Sequence, residues 1–442
     1  MRLNPGATKT CYGICRFARM WILDIVDANL RLSNDGEIAY SEPGIALVEP
    51  KQLTFGGEAL TKIKLQPDQE QSQFWQRLDQ SPVHPSGYAV ETQADLVFRQ
   101  LVAIREQSQL RREDSVWVIV PGNLSNSQIA LLYGIAVQAE VHIADFVDRG
   151  VAAAANVDID GPCVFVDIGL HRTVVTQLTV GDDVSRARVS VLSRLGLLSL
   201  LNAWIRHAAD RFLDSTRFDP RKFANTEQQL FDQLRAFIAG SEETHIVHVE
   251  HLGNVRQVEL TRAELASAAN EHYRGVLTYI DQGCPVLLSE DSAALPGLVD
   301  FLSAEGSNCF ERGLADAFDA LSRLNSSDAD NDSRALHVEV SHVKKEHLRT
   351  VREPSVLPLA THVLTGSIAY PIGSSLPTRN QGEYSLDFEL VNNAHGLVVV
   401  PNESANVVVN GKRVVHQTPV RVGDLILASS VEYELIAVQR DG

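Results

Sequence analysis

The sequence predicts an α/β region of roughly 300 residues, followed by a small all-β unit. Between Trp21 and Leu324, runs typical of buried strands alternate with segments of helical period. An acidic, polar stretch without aromatic residues, 325–333, ends this alternation. Beyond it, residues 356–438 alternate in polarity or are β-branched, and no helix-length period persists, which indicates a β-sandwich.

Composition excludes several classes of protein. The 442 residues carry 39 Lys and Arg against 56 Asp and Glu, a formal net charge of −17. Because such a chain repels phosphates, nucleic acid is not an expected partner. No apolar run is long enough to cross a bilayer, so membrane insertion is not expected. Five scattered cysteines do not form a disulfide framework, and we therefore expect a cytoplasmic protein.

Residues 1–19 form a basic N-terminal arm, with four Lys or Arg residues and no acid. The pattern of the predicted fold begins only at Trp21, directly after Met20. The sequence leaves open whether the segment is a genuine arm or the product of an upstream start site. We expect the chain to divide into this arm, an α/β domain at 20–324, a linker and connecting segment at 325–355, and a β-sandwich at 356–442.

The first part of the α/β domain begins with a strand at Trp21 and a hairpin whose turn is Asp35-Gly36. A buried strand (116–121), a helix capped by Ser125, a second strand (141–147) and an alanine-rich helix (151–155) follow.

The second part repeats this order. Strands are expected at 163–169 and 173–178, and a long helical tract is expected at 196–240. A hairpin through Gly253-Asn254 precedes a helix opened by the capping box at 261–264. A strand at 285–289 and helices near 294–304 and 308–324 complete two similar halves.

An Asp lies at the end of the first strand of each half: Asp24 in Leu-Asp-Ile-Val-Asp, and Asp167 in Val-Asp-Ile-Gly-Leu-His-Arg-Thr. This arrangement resembles the actin and heat-shock-chaperone ATPases, in which paired aspartates hold Mg²⁺ and a triphosphate between two lobes. Further segments resemble that family in the same order, at 118–128, 148–155, 286–296 and 308–315. The resemblance covers residues 20–324. It implies a two-lobed α/β fold whose nucleotide contacts are Asp24, Asp167, Gly169 and Thr173.

The chain departs from the family pattern where ATP chemistry needs it most. The first phosphate loop carries Val26 and Asp27 in place of a glycine and a hydroxyl residue. Arg149 stands where the family has its water-activating Glu, and Ser289 and Glu290 replace two glycines of the adenosine loop. We therefore expect no catalytic residue and no hydrolysis. Residual binding of ATP and Mg²⁺ at Asp24 and Asp167 stays open beside a purely structural role for both.

Residues 402–414 and 419–426 are similar to the forkhead-associated (FHA) pattern, including the turns Asn410-Gly411 and Gly423-Asp424. Ser374 replaces the arginine that binds phosphothreonine in that family, and Val407 replaces a glycine. The resemblance implies an FHA-like sandwich that does not depend on phosphate. Its candidate loop face comprises Ser374, Ser385, Ser404, Asn406, Lys412 and Arg413.

Two functions follow as expectations. The first is a non-catalytic scaffold or assembly factor that binds protein partners, in a multi-protein assembly, without a cofactor. The alternative is a switch gated by ATP and Mg²⁺, either chaperone-like or a polymerising actin homologue. His245, His248 and His251 do not form a metal triad, because alternation along a strand turns His248 away from the other two. We expect no metal site.

Overall fold

The computed structural model divides the chain into two compact units, residues 1–351 (unit 1) and 352–442 (unit 2). The structure describes residues 20–87, 90–324, 336–342, 361–365, 368–373, 387–393, 396–402, 405, 407–410, 412–414, 416–420, 423–428 and 431–436. These residues form eleven α-helices and many strands, which confirms the predicted α/β class.

The first half of unit 1 is built around a mixed sheet. Its elements are β1 (Trp21–Asp24), β2 (Leu30–Asn34), β3 (Glu37–Glu42), β4 (Ala46–Val48), β5 (Leu53–Phe55), α1 (Gly56–Leu60), β6 (Glu70–Gln71), α2 (Phe74–Arg77), β7 (Pro82–Gly87), β8 (Val90–Thr92), α3 (Gln93–Ser108), β9 (Ser115–Val120), α4 (Asn126–Gln138), β10 (His142–Asp148) and α5 (Arg149–Ala154). Every residue of β1 is buried, because it lies in the middle of the sheet order β10-β9-β1-β2-β3. Capping boxes at Thr92 and Ser125 fix the starts of α3 and α4.

The second half contains β11 (Gly161–Ile168), β12 (Arg172–Val180), β13 (Asp183–Ser193), α6 (Leu197–Thr216), α7 (Ala224–Ala239), β14 (Thr244–His251), β15 (Asn254–Thr261), α8 (Arg262–Leu277), β16 (Val286–Ser289), α9 (Glu290–Ala293), α10 (Leu298–Ala304), β17 (Cys309–Arg312) and α11 (Leu314–Leu324). Its sheet order, β17-β16-β11-β12-β13, repeats the first half. β1 pairs antiparallel with β2 and parallel with β9, and β11 pairs in the same way with β12 and β16. β1 and β11 are therefore equivalent strands of the two sheets.

Two helix predictions were wrong in detail. The tract 196–240 is broken between α6 and α7, because Arg217 adopts φ 57° and Pro220 opens a short 3-10 turn. Residues 309–312, predicted as helix, form β17, which pairs parallel with β16 and buries Cys309 and Phe310.

Part of the predicted connecting segment belongs to unit 1. β18 (Leu336–His337) pairs parallel with β10, and β19 (Glu339–Ser341) pairs antiparallel with β13. Residues 336–342, which lie within the predicted linker and connecting segment at 325–355, therefore add an outer strand to each sheet. Val340 is 4% exposed, so the segment also contributes to the core.

Unit 2 consists of β20 (His362–Thr365), β21 (Ile368–Pro371), β22 (Phe388–Asn393), β23 (Gly396–Pro401), β24 (Val407–Val409), β25 (Lys412–Val414), β26 (Thr418–Pro419), β27 (Leu425–Ala428) and β28 (Val431–Ile436). They form two antiparallel sheets, ordered β21-β20-β28-β27-β24-β25 and β22-β23-β26. The sheets share one core, in which Phe388 and Tyr433 meet edge to face.

Candidate functional site

Asp24, Asp167 and Arg149 form a buried ion cluster between the two halves of unit 1. Asp24 ends β1, Asp167 lies near the end of β11, and Arg149 opens α5. Nε and Nη2 of Arg149 donate to the two carboxylate oxygens of Asp24 at 2.8 and 3.0 Å. Its Nη1 lies 2.5 Å from Oδ1 of Asp167, an ion pair without the alignment of a hydrogen bond. One guanidinium thus binds both aspartates that the sequence singled out.

The ion cluster is almost completely shielded from solvent. Asp24, Asp167 and Arg149 are 2%, 5% and 8% exposed. Burial alone lowers the pKa of Arg149, but the two carboxylates outweigh burial, so its pKa lies above the usual value and the side chain stays charged. Burial raises the pKa of Asp167, and Arg149 opposes that rise. Removing Arg149 would leave two buried carboxylates without a counter-charge.

The start of α5 is fixed by Asp148, which aims Arg149 into the cluster. Oδ1 of Asp148 accepts from the Val151 N–H at 3.1 Å, which caps the helix. Its Oδ2 accepts from Nη1 of Arg186, in β13 of the other half, at 2.8 Å. Gly150 permits the close packing of α5 on β12, because a Cβ there would lie 3.0 Å from Cγ2 of Thr176.

The side chain of Asp27, in the loop after β1, reaches into the loop after β11. Its Oδ1 accepts from the Leu170 N–H at 2.7 Å and lies so close to Gly169 that a side chain at 169 would collide with it. Burial raises the pKa of Asp27, while the Leu170 N–H and Arg172 favour the ionised form. The Leu170 N–H, just after β11, is thus bound by a side chain from the loop after β1.

The residues at the end of β16 and just after it are hydrogen-bonded to the end of β11. Oγ of Ser289 caps α9 and donates to Oδ1 of Asp167 at 3.2 Å. Oγ of Ser292 accepts from the Ile168 N–H at 3.1 Å. At the rim, Nη2 of Arg31 lies 2.5 Å from Oδ1 of Asp291. Side chains from this segment therefore fill the space at the ends of β11 and β16.

Little free space remains at the ion cluster. The cavity beside Asp24 and Arg149 and the one beside Asp167 and Gly169 each measure about 20 Å³. That is room for about one water, since a water needs at least ~10–15 Å³. The arrangement does not fit Mg²⁺ with a triphosphate. Arg149 binds the carboxylates of Asp24 and Asp167, and the remaining volume is too small for phosphates.

A larger cavity of about 580 Å³ lies nearby and does not include the ion cluster. Its wall is mainly apolar, formed by residues that include Leu60, Ile168, Leu170, Leu197, Leu201 and Leu295.

The remaining predicted residues are placed as follows. Thr173 is 1% exposed, and its hydroxyl donates to the Leu195 carbonyl, so it does not face the cluster. In unit 2, Lys412 and Arg413 lie on β25, next to a turn in which the Asn410 side chain bonds Asp424 and the Leu425 N–H. Four members of the predicted loop face lie outside the described residues: Ser374, Ser385, Ser404 and Asn406.

Sequence reasoning missed the partners of Arg149. It located Arg149 at the position of an acid, but not its contact with both aspartates. The available signal was a cation in the same predicted domain as two aspartates that each end an apolar run. The pairs Arg31–Asp291 and Arg186–Asp148 had no comparable signal, because the sequence does not show that β2 meets α9 or that the start of α5 meets β13.

Comparison of the sequence with protein-family models gives no match, and comparison with curated protein sequences gives none either. Among the described residues, every helix is too short or too polar to cross a membrane.

Proposed function

We propose that this chain is a non-catalytic protein-interaction scaffold, or assembly factor, built on a degenerate actin- and chaperone-like domain. The carrying observation is the bridge of Arg149 to Asp24 and Asp167. A guanidinium in that place supplies the positive charge that a metal would otherwise bring, so the two lobes are joined without a nucleotide.

The chemistry of the site supports the absence of turnover. Hydrolysis of a phosphoanhydride requires a group that orients or deprotonates water, and Arg149 is held as a cation. Both oxygens of Asp24 accept from Arg149, and Asp27 places a negative charge where phosphate would lie. Each of these features works against ATP independently of the others.

Because side chains of the chain fill the ligand site in this proposal, the chain acts by binding partner proteins at its surface. In this proposal unit 2 is a second interaction module, FHA-like and independent of phosphate. The acidic charge of the whole chain, −17, favours partners with basic surfaces over nucleic acid.

Calorimetry and thermal unfolding of the full chain with Mg²⁺–ATP test the proposal. We expect no heat of binding, no rise in Tm and no phosphate release. A ligand at 100 times its Kd would add about 2.7 kcal/mol to the unfolding free energy, which is readily measured. Binding without turnover would favour the alternative, a nucleotide-gated switch, and turnover abolished by Asp167→Ala would overturn the proposal.

A further inference from the structure

The two-stranded ribbon β14–β15 has one partly covered edge and one open edge. Its turn, Leu252-Gly253, has φ values of 51° and 74°, and His251 and Asn254 face each other across it. Pairs that share hydrogen bonds alternate with pairs that do not along an antiparallel ladder. The residues whose backbone groups point outward are therefore Glu250, His248 and Ile246 on β14, and Val255, Gln257 and Glu259 on β15.

Two glutamines of α7 cover the edge of β14 at Glu250 and His248. Gln229 bonds both the N–H and the C=O of Glu250, at 2.7 and 3.2 Å. Gln233 does the same at His248, at 3.0 and 2.6 Å. Because the glutamines are four apart on a helix and their targets two apart on a strand, the two amides act as a neighbouring strand would.

The edge of β15 has no equivalent cover. Among the described residues, the backbone groups of Val255, Gln257 and Glu259 make no hydrogen bond. All three residues are exposed, and Val255 is 64% accessible. Free backbone groups at every second residue of an extended strand are a template for one more strand.

We propose that the β15 edge binds an extended, basic segment of a partner protein by strand addition; the inference rests on the proposed function as a scaffold. The outer face of the ribbon carries Glu250 and Glu259 and no Lys or Arg. It also exposes Val255 (64%) and Ile246 (56%), which is paired with Glu259, and the turn exposes Leu252 (86%). Basic and apolar side chains on the added strand match this face.

A second copy of the chain matches the edge less well. A two-fold pairing of β15 centred on Gln257 would oppose Val255 and Glu259, an apolar residue and an acid. A pairing centred on Glu259 would oppose two like charges, which destabilises a ladder. The partner is therefore a different protein segment.

The probe is a fluorescent heptapeptide of alternating Lys and Val, compared with the same peptide of alternating Glu and Val. Each is titrated against the full chain and against Gln257→Pro. The proline removes the outward N–H without removing a β14–β15 hydrogen bond, and Gln257→Thr is the control that keeps the N–H. Hydrogen exchange then locates the protected amides, expected at Val255, Gln257 and Glu259.

We expect the Lys-Val peptide to bind wild type and Gln257→Thr alike, and Gln257→Pro at least about tenfold more weakly. The Glu-Val peptide should bind wild type about tenfold more weakly than the Lys-Val peptide does. If Gln257→Pro does not fold, Glu259→Lys replaces it and should reverse the preference between the peptides. Equal binding to the Pro and Thr variants, protection elsewhere, or no binding of the Lys-Val peptide overturns the inference.

The same samples are assayed with Mg²⁺–ATP, which separates the two proposals. If the chain neither binds nor hydrolyses ATP and binds no peptide, only the proposal of strand addition at β15 is rejected. Turnover together with strand addition rejects the scaffold proposal but keeps the edge.

Discussion

Arg31 and Asp291 form an ion pair of 2.5 Å that joins β2 of the first half to α9 of the second half of unit 1. Asp27 and the Leu170 N–H form a second link between the halves, and the bridge of Arg149 from Asp24 to Asp167 forms a third. All three links use side-chain and backbone groups of the chain itself. The two halves of unit 1 are consequently joined at three places close to the ends of β1 and β11.

Replacing Arg149 should destabilise the fold strongly. Arg149→Ala leaves Asp24 and Asp167 buried together without a counter-charge, and breaking such a pair costs about 3–5 kcal/mol. Urea unfolding of the full chain measures the loss. Arg149→Lys keeps the charge but offers fewer donors, so its loss should be smaller; equal losses would show that charge at the cluster is unimportant.

Removing Arg149 should also create a requirement for a divalent cation. Asp24 and Asp167 would then face each other without a cation, and carboxylate oxygens are ligands that Mg²⁺ accepts. We expect MgCl₂ to raise the Tm of Arg149→Ala relative to NaCl of equal ionic strength, with no such difference for wild type. The control is Asp24→Asn in the Arg149→Ala background, which should lose the response. A wild-type response as large as that of the variant would contradict the prediction.

The stability that β18 gives to the fold should depend on pH, because His337 titrates. Its Nε2 lies 2.7 Å from Oδ2 of Asp145, and this hydrogen bond raises the pKa of His337. A raised folded-state pKa gives stability that is fully present below the unfolded value of about 6.5 and is lost as pH rises through the folded value. The Tm difference between wild type and His337→Gln should therefore be larger at pH 5.5 than at pH 8.5. A difference that grows with pH would reverse the assignment.

Residues 336–342 should stabilise unit 1 through Val340. Val340 is 4% exposed and Val338 is 36% exposed, so the two valines form a matched pair in one short segment. Val340→Ala loses a buried side chain and should cost about 1–2 kcal/mol, whereas Val338→Ala should cost under about 0.5 kcal/mol. Chemical unfolding, followed with a probe of unit 1, distinguishes them. Similar small losses would mean that the segment is only loosely attached.

The order of the strands along the chain could be predicted from the sequence better than the side-chain contacts at their ends. Asp24 and Asp167 were located at strand ends because apolar runs precede each of them, and the structure places them there. The direction of the Arg149 guanidinium could not be predicted from the sequence, because it depends on how β1 and β11 lie relative to each other. β17 was mistaken for helix because its four residues are too short to display a period.

Gln229 and Gln233 determine on which edge of the ribbon a further strand can be added. Because their amides already bond the outward backbone groups of Glu250 and His248, an added strand finds free groups at Val255 and Gln257 on the opposite edge. Addition is therefore one-sided along this part of the ribbon, and two added strands cannot enclose it.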